Sequence, residues 1–288
     1  MCEAITLAVM TNTKKTNSGA AFAHGRGGYF LAALFALLTF ALPLRAAEAP
    51  ESGAGEKVTL ITGSTMSAEP VLVGVRMVMR AGWHTYWRVP GDSGLAPTFD
   101  WSASKNVAAL ELLWPVPTRF DAEGDTTFGY ENEVIWPVRV RPADPLKPLV
   151  LDLKFSYGIC KDICVPNEAH LSLTLLPQSA GIDESAARAI NASLARVPVA
   201  PTPPVAVAAQ LTGNELRVVL SGASQVPVII PQAPRGVWFG PPEVSRKGAD
   251  VIYKMPVEIG KGHALKGSTV TMVFASSKTG IEAKVKIE

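Results

Sequence analysis

Histidine and cysteine are scarce in this sequence. The four histidines, one of them in the leading segment, are too few and too scattered for a zinc site. No G-x-S-x-G, H-E-x-x-H or phosphate-loop motif occurs, so hydrolase chemistry finds no support. There is no basic run, and hence no electrostatic case for a nucleic-acid partner. Only one long apolar run is present, at the N-terminus. The rest of the chain offers no further stretch long and apolar enough to span a bilayer.

What is present describes a folded, turn-rich protein. Hydrophobic residues make up 48% and charged residues 18%, which is enough apolar matter for a real core. The 23 prolines and 24 glycines predict many turns and few long helices. Lys14, Lys15 and Arg26 precede an apolar run, Tyr29 to Leu42, and small residues follow at Ala46, Ala47 and Ala49. This is the layout of an export signal, assigned to residues 1–47, with an uncleaved anchor as the alternative. The sequence holds 27 Lys and Arg against 25 Asp and Glu. Residues 1–46 contain four of the first group and one of the second, leaving 23 against 24. The nominal positive charge thus belongs to the leader. Cys2 leaves with it, and two cysteines remain in an oxidising compartment, the periplasm.

From Glu56 onward the pattern alternates with period two. Val71, Val73, Val75, Met77 and Met79 share one face of a strand. Strands are expected at 57–62, 71–80, 82–88, 97–101, 108–114, 133–141, 149–157 and 168–176, the spacing of an antiparallel sandwich. Residues 89–94 (VPGDSG) read as a turn cluster. The stretch 115–132 reads as a long functional loop. Asp183–Arg196 is the one convincing helix, ended by Pro198. The organisation expected is a redox β-sandwich at 48–178, a helix and proline-rich linker at 179–204, and a second, smaller β-sandwich-like domain at 205–288. The class is all-β.

Cys160 and Cys164 lie in YGICKDICVP, at the connection between two strands. A three-residue turn brings two Cα atoms to roughly 5–6 Å, the reach of a disulfide. Pro166 is expected to keep the corner irregular. Three readings compete. A structural bridge closing about five residues would remove little chain entropy, leaving a non-catalytic interaction sandwich. A Cu(I) site would use both thiolates and His170, in a copper-binding or copper-tolerance protein. Dithiol–disulfide exchange suits a tight, accessible surface pair and needs no cofactor beyond the cysteines. The aromatics Trp83, Tyr86, Trp87, Trp114 and Trp136 read first as core or rim packing.

At these residues the chain resembles the N-terminal periplasmic domain of DsbD, the thiol:disulfide interchange protein, and its ScsB-type relatives. The resemblance rests on GWHTYWR, the following PGDSG, the acidic and aromatic stretch, VIWPVRV and YGICKDICVP. It implies an immunoglobulin-like sandwich whose cysteine pair takes electrons from a membrane-embedded or thioredoxin-like donor and passes them to periplasmic thiol–disulfide clients. Such a protein is a protein-disulfide reductase. The resemblance further implies that Cys164 joins partners in a mixed disulfide and Cys160 resolves it. A loop aromatic that shields the cysteine pair is implied at Phe120, with Phe128 and Tyr130 as alternatives, and His84 and Tyr86 fall where the family carries two tyrosines near the cysteines. Asp121, Glu123 and Asp125 read as a solvated face, with a weaker reading as proton acceptors. CxxxC with a distant histidine also resembles the Sco copper-delivery pattern, but that family has a thioredoxin fold and this chain lacks the βαβ layout. DsbD continues into membrane helices, whereas this chain continues into more strands, so its electron donor must be a separate protein.

Overall fold

The computed structural model describes residues 55–66, 70–122, 124–177 and 183–288. The expected export signal and Glu123 lie outside them. Ten strands come first: β1 (Lys57–Thr62), β2 (Val71–Val78), β3 (His84–Gly91), β4 (Thr98–Asp100), β5 (Val107–Leu112), β6 (Thr118–Ala122), β7 (Asp125–Glu131), β8 (Glu133–Pro142), β9 (Leu149–Cys160) and β10 (Cys164–Leu175). They form two antiparallel sheets. One has the order β1-β2-β8-β5; the other has the order β10-β9-β3-β7-β6, with β4 added on β9. Between them lies the core that period-two alternation demands. Val71, Val73, Val75 and Met77 of β2 face Leu149, Leu151, Leu153 and Phe155 of β9, all buried. Trp136 sits at the centre, edge-on to Phe99, Tyr130 and Phe155 at 5.4–5.6 Å between ring centroids. Edge-to-face pairs of this kind add about 0.5–1.5 kcal/mol each beyond burial.

Three local expectations are corrected. The stretch 115–132 is not a loop but the hairpin β6–β7, paired from Thr118↔Gly129 to Ala122↔Asp125. Its threonines and aromatics favour strand, but at a half-solvated sheet edge they leave no apolar alternation to read. Nor is the corner at Pro166 irregular. Pairing of β9 with β10 runs unbroken from Cys160↔Cys164 to Leu149↔Leu175. Because β10 ends its sheet, a proline there is tolerated. The turn cluster at 89–94 also begins later than expected, since β3 continues to Gly91 through a register shift after Tyr86.

Helix α1 (Glu184–Leu194) starts at Asp183, whose carboxylate accepts hydrogen bonds from the Ser185 and Ala186 amides. It buries Ala186 and Ile190 against the outer side of the first sheet. Gly74 allows that approach: a Cβ there would stand 2.8 Å from Ile135 Cγ2 and 3.0 Å from Ile190 Cγ1.

Eight strands follow: β11 (Ala206–Thr212), β12 (Glu215–Ser221), β13 (Val228–Gln232), β14 (Val237–Phe239), β15 (Glu243–Lys247), β16 (Asp250–Ile259), β17 (Thr269–Ala275) and β18 (Gly280–Lys286). They make one sheet ordered β11-β12-β16-β14, with β15 also on β16, and a second ordered β13-β17-β18. The central strand of the second sheet, β17, is buried on both faces. Val270, Met272 and Phe274 of β17 enter the core beneath β12 and β16, whereas Val273 and Ala275 join the core of the first sandwich, as does Ile230 of β13. Burial on both sides explains why 270–275 (VTMVFA) reads as a nearly continuous apolar run. The proline-rich segment is tied down as well: Val199 exchanges backbone hydrogen bonds with Gly280 and Glu282. Arg88 of β3 pairs with Glu282 of β18.

Candidate redox site

The even-numbered residues of β3 and β9 point away from the first core, and the site is built on that side. Pairing sets Glu131, His84, Cys160 and Cys164 in one row across β7, β3, β9 and β10. Directly opposed residues of an antiparallel pair are close enough to bridge. Here Cys160 and Cys164 have Cα atoms 4.2 Å apart and form a disulfide. The turn between them, Lys161-Asp162-Ile163, is exposed, Ile163 at 71%. The two sulfur-bearing residues differ sharply. Cys160 is 2% exposed, whereas Cys164 is an exposed residue.

Tyr86 lies one step along β3 on the same face and is buried. Its hydroxyl oxygen is 2.8 Å from Cys160 Sγ and 2.9 Å from Cys164 Sγ. A disulfide has no S–H, so the tyrosine is the donor. Burial pushes the Tyr86 hydroxyl up from its ordinary pKa, which keeps the donor proton in place. Gly94 closes the site behind it: a Cβ there would stand 2.6 Å from the Tyr86 ring, so only glycine lets the 92–95 turn lie flat on that ring. Thr85, on the opposite face, fixes β3 to β9 through a hydrogen bond to the Gly158 carbonyl at 2.8 Å.

His84 is edge-on to Tyr86 at 5.5 Å and stacked on Phe120 at 4.9 Å. Burial pushes the imidazole down from its ordinary pKa, and the charge of Glu131 partly offsets this. Phe120, half-buried on β6, is therefore the hairpin aromatic that reaches the site. The two alternatives go elsewhere. Tyr130 is buried in the first core and donates to the Pro115 carbonyl at 2.8 Å. Phe128 lines a cleft of about 600 Å³ together with Trp238 and Phe239 of β14. The expected shielding of both cysteines is not seen, since Phe120 packs on His84 and Cys164 stays exposed. Asp121 is engaged on its own hairpin by hydrogen bonds from Thr126 and then Arg119, which hold its carboxyl below the usual range.

His170 does not join the cysteines. It lies six residues along β10 from Cys164, about 20 Å at strand rise, and is paired with Glu168. The expected copper ligand set of Cys160, Cys164 and His170 is thus not assembled. One buried carboxylate escaped the sequence reading altogether. Glu56, 1% exposed, accepts from the Tyr157 hydroxyl at 2.9 Å and from Asn167 Nδ2 at 2.7 Å. It braces the stem of the cysteine hairpin, three residue pairs below the disulfide. No sequence signal marks it, because its strand neighbours lie a hundred residues away.

An immunoglobulin-like antiparallel sandwich with a cysteine pair across the end of one hairpin, one cysteine buried and the other an exposed residue, defines a class of disulfide-bearing sandwich domain. Residues 57–176 match the family described as thiol:disulfide interchange protein DsbD, N-terminal. Residues 57–176 therefore form a DsbD N-terminal-type domain. Among solved structures it is similar to the N-terminal periplasmic domain of ScsB from Proteus mirabilis, with a TM-score of 0.68 and 22% identity. That match covers 84% of this chain and 97% of the other, so the shared fold extends well beyond the residues of the family match. A search of curated proteins returned no match.

Proposed function

We propose that this protein works in the periplasm as a thiol–disulfide exchange protein. It takes two electrons from a membrane-embedded or thioredoxin-like dithiol donor and passes them to client protein disulfides through Cys160 and Cys164. The observation that carries this reading is the unequal exposure of the two cysteines. A donor thiolate attacks the accessible Cys164 sulfur, the Cys160–Cys164 bond breaks, and its electron pair leaves on Cys160. The donor's second thiol then attacks the donor sulfur of the mixed disulfide and releases Cys164. The donor ends oxidised and the pair reduced, two electrons and two protons richer. Towards a client the steps reverse: Cys164 attacks, and Cys160 resolves. No cofactor enters this cycle.

The periplasmic setting is supported by the leader-like N-terminus and by the described location of the ScsB domain. No helix among the described residues is long and apolar enough to cross a membrane. The test uses single-cysteine variants. Cys160→Ser should accumulate mixed disulfides through Cys164 when its thiolate attacks a client protein disulfide, seen as a mass shift reversed by reductant. Cys164→Ser should give none. Equal trapping by both variants would overturn the assignment of roles.

A further inference from the structure

The structure describes four tyrosines, all buried, and three of them give their hydroxyl protons to oxygen: Tyr130 to the Pro115 carbonyl, Tyr157 to Glu56 and Tyr253 to the Pro227 carbonyl. This is ordinary housekeeping, since a buried hydroxyl without a partner is costly. Tyr86 alone points its hydroxyl at the disulfide, within 2.9 Å of both sulfurs. It does so from a strand whose position is fixed on both sides. Thr85 holds it to β9, and Arg88, two residues on, ties it to Glu282 of β18.

The exchange chemistry poses a problem at this spot. When Cys164 is attacked, negative charge develops on Cys160, which is 2% exposed and so deprived of water. The neighbouring Lys161 belongs to the exposed turn, and its side chain extends over Gly82. We propose that Tyr86 is a catalytic residue of the exchange reaction, the hydrogen-bond donor that stabilises the Cys160 thiolate as it leaves. This rests on the exchange reading above and deepens it. An incoming thiolate forms its bond to Cys164 Sγ, the Sγ–Sγ bond breaks, and the electron pair moves to Cys160 Sγ. The Tyr86 hydroxyl shifts from a shared contact with two sulfurs to a single charge-assisted one, without giving up its proton. In the return direction the same bond loosens as Cys160 attacks the mixed disulfide. A preorganised donor aimed at developing charge in a dry site is the general device of electrostatic catalysis.

The test is Tyr86→Phe, which keeps the ring and removes only the hydroxyl. Reduction of the disulfide by glutathione should slow about ten-fold or more, the loss expected for a hydrogen bond to a charged group. In the reduced protein the thiolate absorbance near 240 nm should appear at higher pH than in wild type. A second variant guards against misfolding: site-specific fluorotyrosine at position 86, a stronger donor of nearly the same shape, should move both readouts the opposite way. A rate within two-fold of wild type overturns the proposal. So does a slower rate with no change in the thiolate titration, because Tyr86 would then act through packing alone. If the wild-type disulfide itself is inert to thiols, the exchange reading falls and this inference falls with it.

Discussion

The two sandwiches use the same parts to different ends. Each ends a hairpin in a short turn and each buries a tyrosine beside it. In the second sandwich the β17–β18 turn is closed by hydrogen bonds from Ser276 to Thr279, and Tyr253 donates to a backbone carbonyl. In the first, the β9–β10 turn is closed by a disulfide, and Tyr86 donates to its sulfurs. The fold supplies stiffness in both places. The proposed chemistry falls only where the turn-closing contact is a bond that thiol exchange can make and break. The two sandwiches are also joined physically, because the sheet β13-β17-β18 contributes side chains to both cores.

That shared sheet offers the most severe way to break the comparison. Val273→Asp would place an unpaired charge in the first core from a strand of the second sandwich, at a cost of about 3–5 kcal/mol. Tryptophan fluorescence of the first core and far-ultraviolet circular dichroism should lose their transitions together in urea. Separate transitions would show that the two cores are mechanically independent. A smaller loss, about 1–3 kcal/mol, is expected for Gly74→Leu, which forces α1 away from Ile135; it is checked by the urea midpoint. Tyr253→Phe leaves the Pro227 carbonyl unpaired and should cost about 1 kcal/mol by the same assay. It should not change the rate of disulfide reduction, which is the reverse of the expectation for Tyr86→Phe.

The smallest effect is a pH dependence at His84. Burial holds its native pKa below the value in the unfolded chain, so the unfolded state binds the proton more readily. The neutral ring's contribution is fully present above about pH 6.5. It is lost as pH falls through the lowered native value. His84→Tyr should flatten urea stability between pH 7 and pH 5 relative to wild type; an identical pH profile would show that the ring's protonation is not coupled to folding.

Much of this was legible in the sequence where one face alone is buried. The alternating valines and methionines of β2 and the leucines of β9 locate both sheets, and Asp183 ahead of an apolar stripe locates α1. The cysteine pair and its place at a hairpin end were legible for the same reason. Elements with weak alternation were not. β11 is rich in alanine, β14 has three residues, and every residue of β15 is exposed. The β6–β7 hairpin sits at a sheet edge and looked like a loop. The resemblance placed Tyr86 at the site, but its contact with the sulfurs was out of reach for a different reason. Strand alternation gave its face, but the contact with sulfur depends on the register between β3 and β9, which residues 74 positions apart do not reveal.

The central claim is that the Cys160–Cys164 disulfide is a reversible electron carrier rather than a structural clasp. Its reduction potential, measured by equilibration in thiol buffers and thiol-trapping mass shifts, tests this most directly. The account predicts a value within the range of exchange catalysts, roughly −120 to −270 mV. A value well below about −300 mV, the range of structural bridges, would contradict it.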